Sequence, residues 1–78
     1  MDPYQREILT NALEQRRKEI IEYQVNIDNY NIAIASITPD DELMQPFKEH
    51  LQSLLSSTII EQRKSQIIFN AISQQLAE

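Results

Sequence analysis

The sequence predicts an all-α protein, an antiparallel two-helix hairpin that dimerises into a four-helix bundle. Three observations predict this fold class. The 78 residues include no glycine and no cysteine, and they are rich in strong helix formers. A proline directly follows a helix-capping residue at two places, which indicates two helix starts. Apolar residues recur at helical spacing after each start, so that residues 1–78 are expected to form a single helical-hairpin domain.

The first helix is predicted to run from about Pro3 to about Ser36. Asp2 precedes Pro3, and Gln5 stands at the third helical position. An acidic cap followed by glutamine at this spacing is typical of a capping box, in which each side chain bonds the backbone of the other residue. The helix is expected to end before Pro39, because the residue preceding a proline avoids the α region.

The second helix is predicted to run from about Pro39 to about Leu76, with Thr38 as its cap. Carboxylates at residues 40–42 would occupy its first turn, where the helix dipole favours negative charge. Pro46 lies too deep for that turn, and it cannot donate to the carbonyl four residues earlier. We therefore favour a kink or a break near Pro46 over a smooth helix. The predicted link of one or two non-helical residues forces the helices to lie antiparallel.

A seam of apolar residues with a period of 3.5 runs along the first helix and predicts a coiled-coil-like partner helix. The predicted hairpin core of helix 1 consists of Leu9, Leu13, Ile20, Tyr23, Ile27, Tyr30 and Ile34. The predicted core of helix 2 consists of Leu51, Leu55, Ile68, Phe69 and Ile72. The apolar stripe of helix 2 includes Met44 and Phe47, and two overlapping seams fit it. One seam runs through Gln62, Ser65 and Phe69 and the other through Phe47, Ser65 and Ile68, and the sequence leaves both open.

Further apolar residues remain once each helix has been given one seam. They form a predicted oligomer or partner interface: Ile8, Ile21, Val25, Ile32, Ile59, Ile60 and Ile67. Each large aliphatic side chain left in water forfeits roughly 1.5–3 kcal/mol. Several of them would rival the stability of a small domain, which is about 5–15 kcal/mol. The sequence therefore predicts a homo-oligomer, with a dimer favoured.

Two short basic bands are candidates for phosphate contacts: Arg16, Arg17, Lys18, Arg63 and Lys64. Carboxylates are interleaved with them, which favours a solvated zone of ion pairs over a phosphate site. The formal net charge of −5 also argues against a general nucleic-acid binder. Arg16 falls on the apolar seam, where it either pairs with Glu61 of the opposite helix or extends to solvent.

The residue types argue against catalysis. His50 is the single histidine, and the chain has neither a cysteine nor a glycine-rich loop, so we expect no enzyme activity, metal, cofactor or small-molecule substrate. No apolar run is long enough for a membrane span. The sequence therefore predicts a cytoplasmic protein-interaction module, an adaptor, chaperone or inhibitor with an unidentified protein partner. The alternative is a dimeric hairpin that binds RNA through the basic bands.

Overall fold

The computed structural model describes all 78 residues and confirms the all-α helical hairpin. Helix α1 comprises Pro3–Ala35, and helix α2 comprises Gln45–Ala77. A short 3-10 turn, Glu42–Met44, precedes α2. The two helices pack antiparallel into a rod 61 Å long and 14 Å across. No residue has a positive φ, which agrees with the absence of glycine.

The start of α1 is the capping box predicted from the sequence. The Gln5 backbone N–H donates to Asp2 Oδ1 over 2.8 Å, and the Asp2 N–H donates to Gln5 Oε1 over 3.4 Å. Pro3 opens the first turn, where its missing N–H costs nothing. At the other end Ser36 is the C-cap, and its hydroxyl donates to the Ile32 carbonyl over 2.8 Å.

The predicted start of the second helix at Pro39 is wrong, because α2 begins at Gln45 and Pro46 lies in its first turn. The break near Pro46, which the sequence favoured over a smooth helix, is confirmed. A helix begun at Pro39 would carry Pro46 in its interior, where the ring clashes with the preceding turn and a backbone hydrogen bond is lost. Restarting the helix at Gln45 places Pro46 where no N–H partner is required.

The connection between the helices is therefore longer than predicted and spans residues 36–44. Pro39 occupies the second position of a β-turn, in which the Asp41 N–H donates to the Thr38 carbonyl over 3.1 Å. The Gln45 amide donates to the Thr38 and Asp41 carbonyls over 3.0 and 3.1 Å. The loop is thus held against the first turn of α2 by a side chain of that turn.

The inner face of each helix follows a single seam. In α1 the buried or half-buried seam residues are Leu9, Leu13, Arg16, Ile20, Tyr23, Ile27, Tyr30 and Ile34. In α2 they are Leu51, Leu55, Thr58, Gln62, Ser65, Phe69, Ile72 and Leu76. Ile68 was predicted to lie in the core, but it is 40% exposed. Phe69 takes the inner position, and its neighbour is rotated about 100° away from it.

Candidate interaction surfaces

A polar layer crosses the hairpin near the middle of α1 and fixes how the helices pair. Glu19 Oε2 accepts a hydrogen bond from the Ser65 hydroxyl of α2 over 3.0 Å. The same oxygen lies 3.0 Å from Arg16 Nη1. Ser65 is the most buried residue of the chain, at 4% exposure. The Ser65 hydroxyl thus links the two helices at this layer.

Arg16 is therefore paired on the seam, but not with the residue suggested by the sequence. Its partner is Glu19, one turn along the same helix. Glu61 instead accepts from Lys64, with Nζ and Oε1 3.0 Å apart. The residue pairs that meet across the interface depend on the register, and the long loop moved that register away from the one that the short link implied.

Gln62 supplies a second cross-link beside the polar layer. Its amide Nε2 donates to the Ile20 carbonyl over 3.2 Å and to Gln24 Oε1 over 2.9 Å. Gln24 in turn donates to Asp28 Oδ1 over 2.9 Å. A chain of hydrogen bonds thus leads from the inner seam to a carboxylate on the outside of α1. Sequence reasoning placed Gln62 on the seam without assigning it this role.

The polar layer lowers the pKa of Glu19. The hydrogen bond from Ser65 is the main cause, and hydrogen bonds from Arg16 and Gln15 add to it. A carboxyl group whose pKa is lower in the folded chain stabilises the fold at pH values above its unfolded-chain pKa of about 4.3. This stabilisation is lost as the pH falls through the lower pKa of the folded chain.

We expect Ser65→Ala to raise the pKa of Glu19, because the main hydrogen bond to its carboxylate disappears. NMR titration of the side-chain carboxyl signals measures this shift directly. Glu14 serves as the internal control, because its own lowered pKa results from Arg17 and should not change. A Glu19 pKa that stays the same in Ser65→Ala would show that the Ser65 hydrogen bond is absent in solution.

The surplus apolar residues lie largely on the outer sides of the rod. Ile21, Val25 and Ile32 occupy the face of α1 roughly 150° from its inner seam, and they are 50%, 54% and 68% exposed. Ile60 and Ile67 occupy the face of α2 roughly 180° from its own seam, and both are exposed. These two outer faces point in opposite directions, so that one flat surface cannot cover both.

The remaining predicted interface residues line two shallow grooves between the helices. Ile8 lies with Leu9 and Gln75 in a groove at the open end of the hairpin. Ile59 lies in a second groove, whose other lining residues are Ile20, Gln24, Gln62, Arg63 and Gln66. Polar residues predominate in the lining of the second groove, whereas apolar residues predominate in that of the first.

Sequence reasoning missed an exposed apolar group at the loop end of the rod. Leu43 is 86% exposed, and Met44 and Phe47 beside it are also exposed. The expectation of a long second helix placed Met44 and Phe47 on its inner stripe. The break before Gln45 instead leaves both of them outside the interface.

The basic bands do not form a continuous cationic surface. Arg17 makes a bidentate contact with Glu14 at 2.6 and 2.9 Å, Arg16 pairs with Glu19, and Lys64 pairs with Glu61. Lys18 and Arg63 are the two members without an ion pair. Most of the basic side chains are thus already paired with carboxylates, and the chain has a net negative charge. Neither feature supports the hypothesis that the protein binds nucleic acid.

No protein-family model matches the sequence, and no curated protein or solved structure shows significant similarity to it. Neither helix has a stretch that is long and apolar enough to cross a membrane. No three acidic or histidine side chains come together as a metal site would require.

Proposed function

We propose that this protein is a non-enzymatic interaction module, a small adaptor, chaperone or inhibitor, which acts through helix packing and self-associates. One observation carries the proposal. The seven apolar residues predicted to form an interface are each at least 47% exposed in the single chain. Scattered apolar surface residues are common, but here several share one helix face at heptad-like spacing.

The free energy available from covering these residues is large for so small a protein. Each is about half exposed, so that complete burial would contribute roughly 1 kcal/mol per side chain. Seven such contributions are comparable with the stability of a small domain, at about 5–15 kcal/mol. An apolar stripe on one helix is commonly buried by packing against further helices.

The proposal includes a second, unidentified protein as partner and needs neither a cofactor nor a small-molecule substrate. The outer faces are on opposite sides of the rod, which leaves one face for a second copy and another for a different protein. We further propose a cytoplasmic location, because a chain without cysteine gains nothing from an oxidising compartment.

We expect sedimentation equilibrium of the intact chain to give at least twice the mass of the 9.1 kDa protomer at micromolar concentration. Ile21→Asp should shift this mass to that of the monomer, because a carboxylate on the outer face of α1 cannot be buried without a partner. Its helix content by circular dichroism should stay close to that of the unmodified protein, since Ile21 lies outside the hairpin interface.

A single-protomer mass at all concentrations would reject self-association. A loss of helix in Ile21→Asp as large as that in a variant of the inner face would reject the division into an inner and an outer face.

A further inference from the structure

Four residues on the outer face of α1 form a stripe that carries opposite charges at its two ends. Lys18, Ile21, Val25 and Asp28 follow each other at spacings of three, four and three residues, and all four are exposed. This set is called the outer stripe below. Neither Lys18 nor Asp28 forms an ion pair within the chain. The outer stripe therefore has an apolar centre with an unpaired cation at one end and an unpaired anion at the other.

Over these four positions the outer stripe is complementary to itself when it is read in the reverse direction, whereas Ile32 of the same face would lie opposite Glu14, which Arg17 already pairs. An antiparallel second copy would place Ile21 opposite Val25 and Lys18 opposite Asp28, and each of these contacts would occur twice. A parallel copy would instead bring like charges together at both ends, which is destabilising. Charge pattern and apolar pattern thus favour the same relative orientation of the two chains.

The outer face of α2 lacks this property. Its exposed stripe consists of Ile60, Lys64, Ile67 and Ala71, which carries a cation and no anion. Reversal of this stripe places Lys64 opposite Ile67, with no carboxylate among the four residues. Lys64 is also already paired with Glu61 within its own chain. The second copy is therefore assigned to α1 rather than to α2.

We propose that the outer stripe of α1 is an isologous dimerisation surface, on which two copies pack antiparallel about a two-fold axis at the level of Tyr23. This inference rests on the self-association proposed above and names its surface and geometry. The four helices would lie side by side, with the two α1 helices in the centre. The outer faces of α2 would remain free at the two edges of the dimer.

The hairpin itself helps to position the anionic end of the outer stripe. The Asp28 carboxylate accepts a hydrogen bond from Gln24, which is held by Gln62 of the opposite helix. The carboxylate is thus restrained before a second copy arrives, which reduces the entropy that association must lose. Glu22 is the one residue that would approach its own copy with like charge, on the flank of the axis.

Charge reversal tests the pairing of Lys18 with Asp28. We expect Lys18→Asp and Asp28→Lys to raise the dimer dissociation constant by about tenfold each, because two attractive pairs per dimer become repulsive. The double variant restores opposite charges and should bind within about twofold of the unmodified protein. Ile60→Asp is the matched control on α2 and should leave the dissociation constant unchanged. Sedimentation equilibrium at fixed salt measures all four.

A cross-linking experiment tests whether the two chains are antiparallel. Because the chain has no native cysteine, only the introduced thiols can react. In Glu22→Cys the two thiols lie near the axis, and a short bismaleimide should link the two chains. In Ala35→Cys the thiols would be about 36 Å apart in the antiparallel dimer, at 1.5 Å per residue, and should not be linked. A parallel dimer would bring the two Ala35 positions together, so that both variants would be linked and Ala35→Cys is the one that distinguishes the two directions.

The outcomes separate this inference from the proposed function. If the unmodified chain is monomeric, self-association itself fails. If the chain dimerises but single charge reversals have no effect, or if the double variant is not restored, then self-association stands and the outer stripe is not its surface. If Ala35→Cys is linked, self-association stands and the antiparallel geometry is overturned. If Ile60→Asp dissociates the dimer as Ile21→Asp does, the assignment of the dimer surface to α1 alone is likewise overturned.

Discussion

Ile27→Asp is expected to unfold the hairpin. Ile27 is the most buried residue of α1, with 8% of its surface exposed, and it lies in the C-terminal half of the inner seam. The substitution loses the transfer free energy of an isoleucine and places a carboxylate between two helices without a partner. Together these effects cost about 4 kcal/mol or more, which approaches the lower end of the roughly 5–15 kcal/mol that stabilise a small domain.

Circular dichroism and urea denaturation at one protein concentration measure this effect. Ile21→Asp makes the same chemical change six residues earlier in α1, at a position that is 50% exposed, and serves as the matched control. The expected result is loss of most helix in Ile27→Asp and its retention in Ile21→Asp. An Ile27→Asp protein with full helix content and an unchanged urea midpoint would show that the two helices do not pack through this seam.

Leu51→Ala is expected to lower the free energy of unfolding by about 2–5 kcal/mol. Leu51 is 6% exposed and is the first buried residue of α2 after Pro46. Its truncation removes apolar contacts and leaves a cavity that two rigid helices cannot fully close. Only Ile27, Leu51 and Ile72 are apolar residues buried in this way, so that each contributes a large share of the stability.

Leu43→Ala is the control for this truncation, because Leu43 is 86% exposed at the loop end of the rod. Its effect on the unfolding free energy should stay within about 0.5 kcal/mol. Both variants are compared at the same protein concentration, since dimerisation adds to the apparent stability. Similar losses in the two variants would mean that the loop end is packed in solution and that Leu43 is covered.

Much of the fold could be predicted because its causes are local. The capping box at Asp2 and Gln5 depends on residues three positions apart, and the structure contains it as predicted. The apolar seam of α1, with its period of 3.5 residues, likewise depends on the sequence of one helix alone. The start of α2 could not be predicted in this way. Thr38 and Pro39 form a good helix start in isolation. A helix begun there would carry Pro46 in its interior, however, so that α2 instead begins at Gln45 with Pro46 in its first turn.

The polar contacts of the candidate surfaces were less predictable, because they depend on register. The sequence placed Arg16, Gln62 and Ser65 on the two seams. It could not show which pairs meet across the interface: Ser65 bonds Glu19 in the structure, whereas the sequence suggested a pair of Glu61 and Arg16. That choice follows from the length of the 36–44 loop, which no local pattern reports. Ile68 illustrates the same limit, since two seams fitted α2 and the packing selected the one through Phe69.

The dimensions of the rod determine how the protein will behave in gel filtration. A particle 61 Å long and 14 Å across experiences more friction than a sphere of equal mass and enters the pores of a matrix less readily. A lone hairpin will therefore elute early, at the volume of a compact protein of considerably greater mass. Elution volume alone would overestimate its mass, whereas light scattering on the same peak would give its true mass.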